Sequence, residues 1–270
     1  MQFPTIAEFL PKAFLFDGTP FAFNRIQLVR FVMIAFVTVF FCTVASKSLK
    51  RAKAGNVVPT KPQLVVEMLF DFVRNFTFDS LGEKTGKKWL PLVTTIFCSV
   101  FFLNLSGIVP GLNIAGTSGM GIPFLFAVWV FTSYWREGIS SHGGGIKGFF
   151  IFMKDELFPS GLPIFVYPVY AVVEFLQVIL IRPASLAIRL FSNMMAGHML
   201  LGICFAATQG FLIGAPGISR LMMPAGVITL AGSFIFILFE LLVAALQAYI
   251  YSFLTVSYLE TSMAHEPEND

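Results

Sequence analysis

The chain has 270 residues, of which 56% are hydrophobic and 12% are charged, with a formal net charge of +3 and a mean hydropathy of +0.80. Soluble domains carry about 25% charged residues, so this composition excludes a water-soluble globular protein. The 3 cysteines lie inside apolar runs and 33 residues are phenylalanine, which excludes a secreted disulfide scaffold and a disordered chain. We therefore predict an all-α polytopic membrane protein with about five transmembrane helices.

The first predicted elements are an outer N-terminal segment, residues 1–25, and a transmembrane helix, residues 26–46. A membrane span needs about 20 apolar residues, and the second segment supplies them. Arg30 lies near the outer end of this helix, where its guanidinium can extend to the interface. The first segment has no basic start and no small-residue cleavage site, so we predict no cleaved signal peptide.

Residues 47–88 form a basic segment with nine of the 18 Lys and Arg residues. The positive-inside rule places this segment on the cytoplasmic side or its equivalent. The stretch from Pro62 to Phe78 alternates polar and apolar residues, which predicts an amphipathic helix on the inner surface. Gly82–Lys88 resembles a phosphate-binding loop, but its glycines are too close together and no Ser or Thr follows the lysines. We predict neither nucleotide hydrolysis nor nucleic-acid binding by this chain.

Residues 89–135 contain no charged residue and are long enough for two membrane spans. Pro110-Gly111 and the glycines of residues 116–121 predict the turn between these spans. The segment is therefore predicted to be a transmembrane hairpin that returns to the inner side.

Residues 136–160 form a predicted inner loop, because Arg136, Lys147 and Lys154 mark the inner side. His142 stands beside three consecutive glycines in this loop. A lone histidine is a poor metal site, and we predict neither a metal nor a cofactor for the chain.

Residues 161–260 predict a long helical hairpin, followed by an inner tail, residues 261–270. Between Leu221 and Leu259 the only charged residue is Glu240. As a helix this run would extend nearly 60 Å at about 1.5 Å per residue, against a hydrocarbon core of about 30 Å. We therefore expect two long, strongly tilted helices. The residues that predict the outer turn are Gly210, Gly214, Pro216 and Gly217.

Ionisable residues inside a membrane span are costly, so the default hypothesis for them is a function. Here they are Glu174, Arg182, Arg189, His198 and Glu240. Residues three or four positions apart lie on the same face of a helix, and two sets of residues with this spacing each form one such stripe. The first stripe comprises Arg182, Ser185, Arg189 and Asn193, and the second comprises Glu240, Ala244, Gln247 and Tyr251.

An antiparallel hairpin keeps the sum of the residue numbers constant for residues at the same depth. The numbers of Arg189 and Gln247 add up to 436 and those of His198 and Glu240 to 438. These values agree within one helical turn. We expect His198 to lie level with Glu240 toward the outer side, and Arg189 to lie deeper, level with Gln247.

The protonation chemistry of these groups predicts a gated proton path. Histidine and glutamate exchange protons near neutrality once their surroundings shift them, whereas arginine stays protonated and can hold a carboxylate ionised. The chain has no suitable carboxylate to pass the arginine, so a partner must supply it. The alternatives are helix-to-helix hydrogen bonds for His198–Glu240 and for Asn193 and Gln247, and interfacial snorkelling for Glu174. Arg182 shares this last alternative.

Three runs of the sequence resemble signatures of subunit a of F-type ATP synthases. They are Arg182–His198 (RPASLAIRLFSNMMAGH), Leu246–Leu259 (LQAYIYSFLTVSYL) and Phe102–Pro110 (FLNLSGIVP). The resemblance implies a stator subunit that faces a ring of c subunits and provides two offset proton half-channels. It also implies peripheral-stalk b subunits and the lipid bilayer as partners, while the choice of proton or sodium depends largely on the ring.

The resemblance also implies roles for individual residues. Arg189 would be the essential arginine that opposes the ring carboxylate. The outer half-channel would be lined by Asn193, His198, Glu240 and Gln247, and candidates for the inner half-channel are Arg182, Ser185 and Glu174. Some bacterial members have Glu at the position of His198 and His at that of Glu240, an exchange expected of neighbouring side chains.

The resulting prediction is a non-catalytic, proton-conducting subunit in a bacterial plasma membrane, with its N-terminus outside and its C-terminus in the cytoplasm. A mitochondrial inner membrane is the alternative location. A self-contained secondary transporter and a non-conducting assembly subunit are the alternative functions, although the halves of the sequence show no convincing repeat of the kind common in transporters.

Overall fold

A computed structural model describes residues 25–53, 60–109, 116–117, 120–157, 167–214 and 223–263. Within these residues the chain forms seven α-helices and two short π-helical segments, Gln177–Ile181 and Gly210–Gly214. The helices are α1 (Arg25–Lys53), α2 (Lys61–Leu105), α3 (Gly121–Ser141), α4 (Gly145–Leu157), α5 (Tyr167–Leu176), α6 (Arg182–Gln209) and α7 (Met223–Met263). The regular structure of the described residues is thus all helical, which confirms the predicted fold class.

Helix α1 contains the first predicted span. Residues Gln27–Lys47 are long and apolar enough to cross a membrane. Large apolar side chains such as Phe31, Phe36 and Val39 are exposed on it. Apolar surface of this extent is typical of a helix whose outer face contacts lipid rather than water.

Helix α2 joins the predicted surface helix and the following apolar span in one run of 45 residues. The run is interrupted at Gly82, whose φ of 71° and ψ of 174° are not helical. Glycine is the residue that adopts positive φ without steric cost, which accounts for the break at this position. The break therefore follows the amphipathic stretch, and the last lysines of the basic segment, Lys84, Lys87 and Lys88, lie between it and the apolar part of α2.

Helices α3 and α4 are joined by a tight turn inside the predicted inner loop. Gly143, Gly144 and Gly145 all have positive φ, between 66° and 91°. The turn folds α4 back so that Phe152 packs into a buried cluster with Tyr134. Much of the segment predicted as a loop is therefore helical.

Helices α5, α6 and α7 supply two long apolar runs. Tyr167–Leu212 and Pro224–Met263 contain 46 and 40 residues. At about 1.5 Å per residue, each is longer than a hydrocarbon core of about 30 Å requires. These lengths agree with the predicted pair of long C-terminal helices.

Four helical runs of the described residues are long and apolar enough to cross a membrane. The sequence predicts about five spans, and the difference concerns α3. That helix has 21 residues, and its C-terminal half contains Arg136, Glu137 and several hydroxyl side chains. These polar residues explain why α3 is less apolar than the other four runs.

The chain divides into two compact units. The first comprises Met1–Val57, Ser99–Gly119 and Leu190–Ala248, and the second comprises Val58–Cys98, Met120–Arg189 and Tyr249–Asp270. The unit boundaries fall within α2, α6 and α7, so each of these helices contributes residues to both units.

Some predicted features lie outside the described residues. They are the outer segment up to residue 24, the turn at Pro110-Gly111, the part of the outer turn at Pro216 and Gly217, and the tail from residue 264.

Candidate functional site

A histidine–glutamate pair joins α6 and α7 in the first unit. His198 Nδ1 and Glu240 Oε1 are 3.0 Å apart, and the two side chains are 16% and 8% exposed. Both residues lie in helices that the sequence forms from long apolar runs, so the pair is surrounded mainly by hydrocarbon side chains. The predicted proximity of His198 and Glu240 is confirmed.

A second polar contact lies next to this pair in the same unit. Asn193 Nδ2 donates a hydrogen bond of 2.8 Å to Gln247 Oε1. Gln247 is buried, whereas Asn193 is exposed. The structure thus brings all four residues predicted for the outer half-channel together in two contacts.

The register of α6 and α7 in this unit is antiparallel. Thr208 Oγ1 donates to Thr229 Oγ1 over 3.0 Å, in addition to the two contacts above. The residue numbers of the three bonded pairs add up to 437, 438 and 440, which is constant within one helical turn. Gln247 forms its hydrogen bond with Asn193. The expectation that Arg189 lies at the same depth as Gln247 stays a prediction, because these two residues belong to different units.

A cavity of about 220 Å³ adjoins Glu240 and Asn193. Its remaining walls are apolar side chains of α6 and α7 together with the backbone of Gly197. Glu240 Oε2 is buried and has no hydrogen-bond partner among the described residues. One carboxylate oxygen is therefore held by His198 and the other is left for a further donor, such as water or a proton carrier.

Gly197 allows the close approach of Glu240 to α6. A Cβ built on Gly197 would lie 2.9 Å from Glu240 Oε1, closer than real Cβ contacts come. A larger residue here would push the carboxylate away from the position in which it meets His198.

Arg189 lies on α6 in the second unit and is exposed. No ion pair with an acidic residue is formed by Arg189 within the described ranges. A charged group on a helix long and apolar enough to cross a membrane is costly without a counter-charge. This arrangement agrees with the hypothesis that the counter-charge comes from another chain.

Arg182, in contrast to Arg189, forms ion pairs with two acidic residues. Its Nη1 donates to Glu156 Oε1 over 3.1 Å and its Nη2 donates to Glu174 Oε1 over 2.9 Å. Tyr134 donates a hydrogen bond of 2.6 Å to the same oxygen of Glu156, and the guanidinium lies over the rings of Tyr134 and Tyr258. Arg182 is thus the centre of a buried ionic cluster rather than a side chain that extends alone to an interface.

The remaining inner candidate, Ser185, donates its hydroxyl to the carbonyl of Arg182 over 2.9 Å. This is a local bond within one helix turn, and it leaves the lone pairs of the hydroxyl oxygen available. Of the three inner candidates, the structure brings Arg182 and Glu174 into direct contact.

Sequence reasoning missed Glu156 and Tyr134 as partners of Arg182. Both come from α3 and α4, and no spacing along the chain relates them to α6. The sequence offers only weak signals for them: Glu156 is an acidic residue shortly before the predicted C-terminal hairpin, and Tyr134 is the last residue but one of an uncharged run.

Glu174 reaches Arg182 because the intervening Gln177–Ile181 segment is π-helical. Residues eight apart in an α-helix do not share a face, whereas residues seven apart do, since two turns contain about 7.2 residues. The wider π turn takes up about one extra residue. Glu174 and Arg182 therefore face each other although their spacing in the sequence does not predict it.

Comparisons with known proteins identify the family of this chain. The sequence matches the model of the family described as ATP synthase A chain over residues 28–260. ATP synthase subunit a of Rhodococcus erythropolis (strain PR4 / NBRC 100887) is 33% identical over 261 residues, which cover 96% of this chain and 90% of that protein. The protein of the same name from Magnetococcus marinus is 35% identical over 216 residues, with coverages of 80% and 76%. The one from Afipia carboxidovorans is 35% identical over 220 residues, with coverages of 82% and 83%. The chain therefore belongs to the ATP synthase A chain family, the family of ATP synthase subunit a.

Proposed function

We propose that this chain is the proton-conducting stator subunit of an F-type ATP synthase, with two offset half-channels and an arginine gate at Arg189. The observation that carries the proposal is the exposed guanidinium of Arg189 on a long apolar helix, without an acidic partner in the described part of the chain. Such a cation attracts a carboxylate from a neighbouring protein, and the c-subunit ring is the partner that carries one inside the membrane.

The outer half-channel leads to this gate through the His198–Glu240 pair. The pair is titratable, and the cavity beside it supplies room for water next to the unbonded oxygen of Glu240. Asn193 and Gln247 continue the polar surface toward the arginine end of α6. Protons reach the ring by this route.

The inner half-channel begins near Glu174 and Ser185. Arg182 holds Glu174 in place through their hydrogen bond of 2.9 Å, so that this carboxylate is positioned to accept a proton released on the inner side. The role of Arg182 in this scheme is to position the acid rather than to carry the proton, because arginine stays protonated.

The two half-channels and the gate make rotation obligatory for proton transfer. A ring carboxylate is protonated from the outer half-channel, passes through lipid as the neutral acid, and loses its proton to the inner half-channel. Neutralisation is required because a charge at the bilayer centre is costly. Arg189 blocks the direct route, since it ionises any protonated carboxyl group that approaches it.

The chain itself performs no covalent chemistry in this scheme, and ATP is made on other subunits. We place it in a bacterial plasma membrane with its N-terminus outside and its C-terminus in the cytoplasm, where peripheral-stalk b subunits hold it against the rotating ring. The basic residues of α2 support this orientation by the positive-inside rule.

Replacement of Arg189 tests the gate. In the complete ATP synthase reconstituted into vesicles, Arg189→Ala is expected to reduce ATP-driven proton pumping to near background, because the ring carboxylate loses its counter-charge. Arg189→Lys keeps the charge but loses the planar guanidinium, so we expect it to restore little of the coupling. Arg136→Ala, at an exposed arginine of α3, is the matched control and should pump normally. Full coupled pumping by Arg189→Ala would show that the gate is elsewhere.

A further inference from the structure

The turn that follows α2 places the backbone of Gly107 against the imidazole of His198. A Cβ built on Gly107 would lie 2.3 Å from Cε1 and 2.7 Å from Nε2 of that ring, and also 2.7 Å from Cε of Met194. Carbon atoms in favourable contact are about 3.5–4.0 Å apart, so a side chain on residue 107 must displace either the turn or the imidazole. Both residues belong to the first unit.

The backbone conformation of Gly107 does not itself require glycine. The described glycines with positive φ are Gly82, Gly143, Gly144 and Gly145, and Gly107 is not one of them. An alanine could adopt the same backbone without left-handed strain. What glycine provides at this position is therefore space for the histidine ring and for the flexible end of the Met194 side chain.

The turn around Gly107 is fixed by buried hydrogen bonds and cannot move away cheaply. The Gly107 amide donates to the Asn104 carbonyl over 3.1 Å, and Thr117 Oγ1 donates to Asn104 Oδ1 over 2.5 Å. The Gly116 amide donates to Ser106 Oγ over 3.1 Å. Asn104, Ser106 and Thr117 are all buried, so each of these bonds would be expensive to break.

The neighbouring nitrogen of the imidazole makes the contact on which the proposed proton transfer depends. His198 Nδ1 faces Glu240 Oε1, while the Cε1–Nε2 edge faces Gly107. We propose that Gly107 is a positioning residue for the outer half-channel: the bare backbone of the turn is the wall that sets the imidazole of His198 on Glu240. This inference rests on the proposed function of the His198–Glu240 pair and adds a third element, the turn after α2, to the half-channel.

The test is a double-mutant cycle in the complete ATP synthase, measured as proton-driven ATP synthesis in reconstituted vesicles. Gly107→Ala should lower the rate about tenfold, as expected when a buried charge-assisted hydrogen bond is lost. His198→Asn, with a smaller side chain, removes the contact with the imidazole, and the flexible end of Met194 can turn away from the added methyl group. Because His198→Asn is itself expected to lower synthesis, the residual rate and the amount of assembled complex are both measured in this background, and Gly107→Ala should change each of them less than about twofold. Gly232→Ala is the control, because nothing lies within 4 Å of a Cβ at this helical glycine of α7.

The outcomes separate this proposal from the proposed function. Normal synthesis by Gly107→Ala, or a full additional loss in the His198→Asn background, overturns the positioning role. Normal synthesis by His198→Asn alone contradicts the proposed half-channel instead. If Gly107→Ala prevents assembly of the complex, the double variant should restore assembly, because the smaller side chain removes the clash. Failure of the double variant to assemble would also overturn the proposal.

Discussion

Arg182 and Arg189 lie on the same helix and have opposite surroundings. Arg182 contacts two carboxylates and two tyrosine rings, whereas Arg189 is exposed and has no acidic partner in the described ranges. Because arginine remains charged under all conditions that the protein meets, its neighbours decide its role. Arg182 is neutralised inside the chain, whereas the described residues supply no counter-charge for Arg189, which supports our proposal that another chain supplies it.

The contact between His198 and Glu240 predicts that the two residues can be exchanged. His198→Glu or Glu240→His alone places two like residues together, and each should reduce ATP-driven proton pumping about tenfold or more. The double exchange restores one acid and one imidazole at bonding distance, so we expect it to recover pumping to within about threefold of the original. Proton uptake by reconstituted vesicles measures all three variants.

A control for this exchange is Glu260→His, at an exposed acid near the end of α7, which should leave pumping unchanged. A double variant as impaired as the two single variants would mean that the pair does not transfer protons as a unit.

The His198–Glu240 pair is predictable from the sequence, because in two antiparallel helices joined by one turn the position of the turn alone decides which residues lie at the same depth. The constant sum of residue numbers expresses this relation, and the observed contact obeys it. Gly107 was not predicted, because its role depends on how the turn after α2 meets α6. Nothing in the local sequence specifies that contact.

At the level of helices, the cluster around Arg182 connects α3, α4, α5 and α6. Arg182→Leu leaves the carboxylates of Glu156 and Glu174 buried without their cation, which costs roughly 3–5 kcal/mol. We expect the purified complex to denature at a temperature lower by roughly 5 °C or more. Thermal unfolding followed by size-exclusion chromatography measures this loss.

Two further variants define the cause of that loss. Lys154→Leu, at an exposed lysine in the last turn of α4, should leave the denaturation temperature nearly unchanged. Glu156→Gln and Glu174→Gln added to Arg182→Leu remove the uncompensated charges and should recover most of the stability. If the triple variant is no more stable than Arg182→Leu, the cluster contributes through packing instead of charge.

The helices themselves were predictable from long apolar runs, but some of their boundaries were not. Helix α4 falls in the segment 136–160, which its basic residues predict as an inner loop and which contains three consecutive glycines. In the structure the same glycines use their positive φ to make a tight turn, after which Phe152 packs on α3. The ionic partners of Arg182 follow from that packing, so a missed turn also concealed Glu156.

In the whole molecule, the few charged residues fall into two groups according to their place in the chain. Most basic residues lie near the predicted inner side, and few ionisable groups remain in the long apolar helices. A chain with an exposed intramembrane cation should not be stable alone. We therefore expect the tagged chain, purified in mild detergent, to carry a ring of small subunits, each with one membrane carboxylate.

Mass spectrometry of the purified assembly identifies these subunits, and a purification from cells without the tag is the control. A chain that purifies as a monomer and transports a solute alone would instead be a self-contained transporter.

The π-helical turn before Arg182 also has an evolutionary consequence. A π segment behaves as one inserted residue that the helix absorbs locally, without shifting the register of the residues that follow. A relative that lacks this residue would form a plain α-helix there, with its acid seven positions before the basic residue instead of eight. Both chains would place the two charges face to face, so an alignment gap at this point would mark the same ion pair rather than its loss.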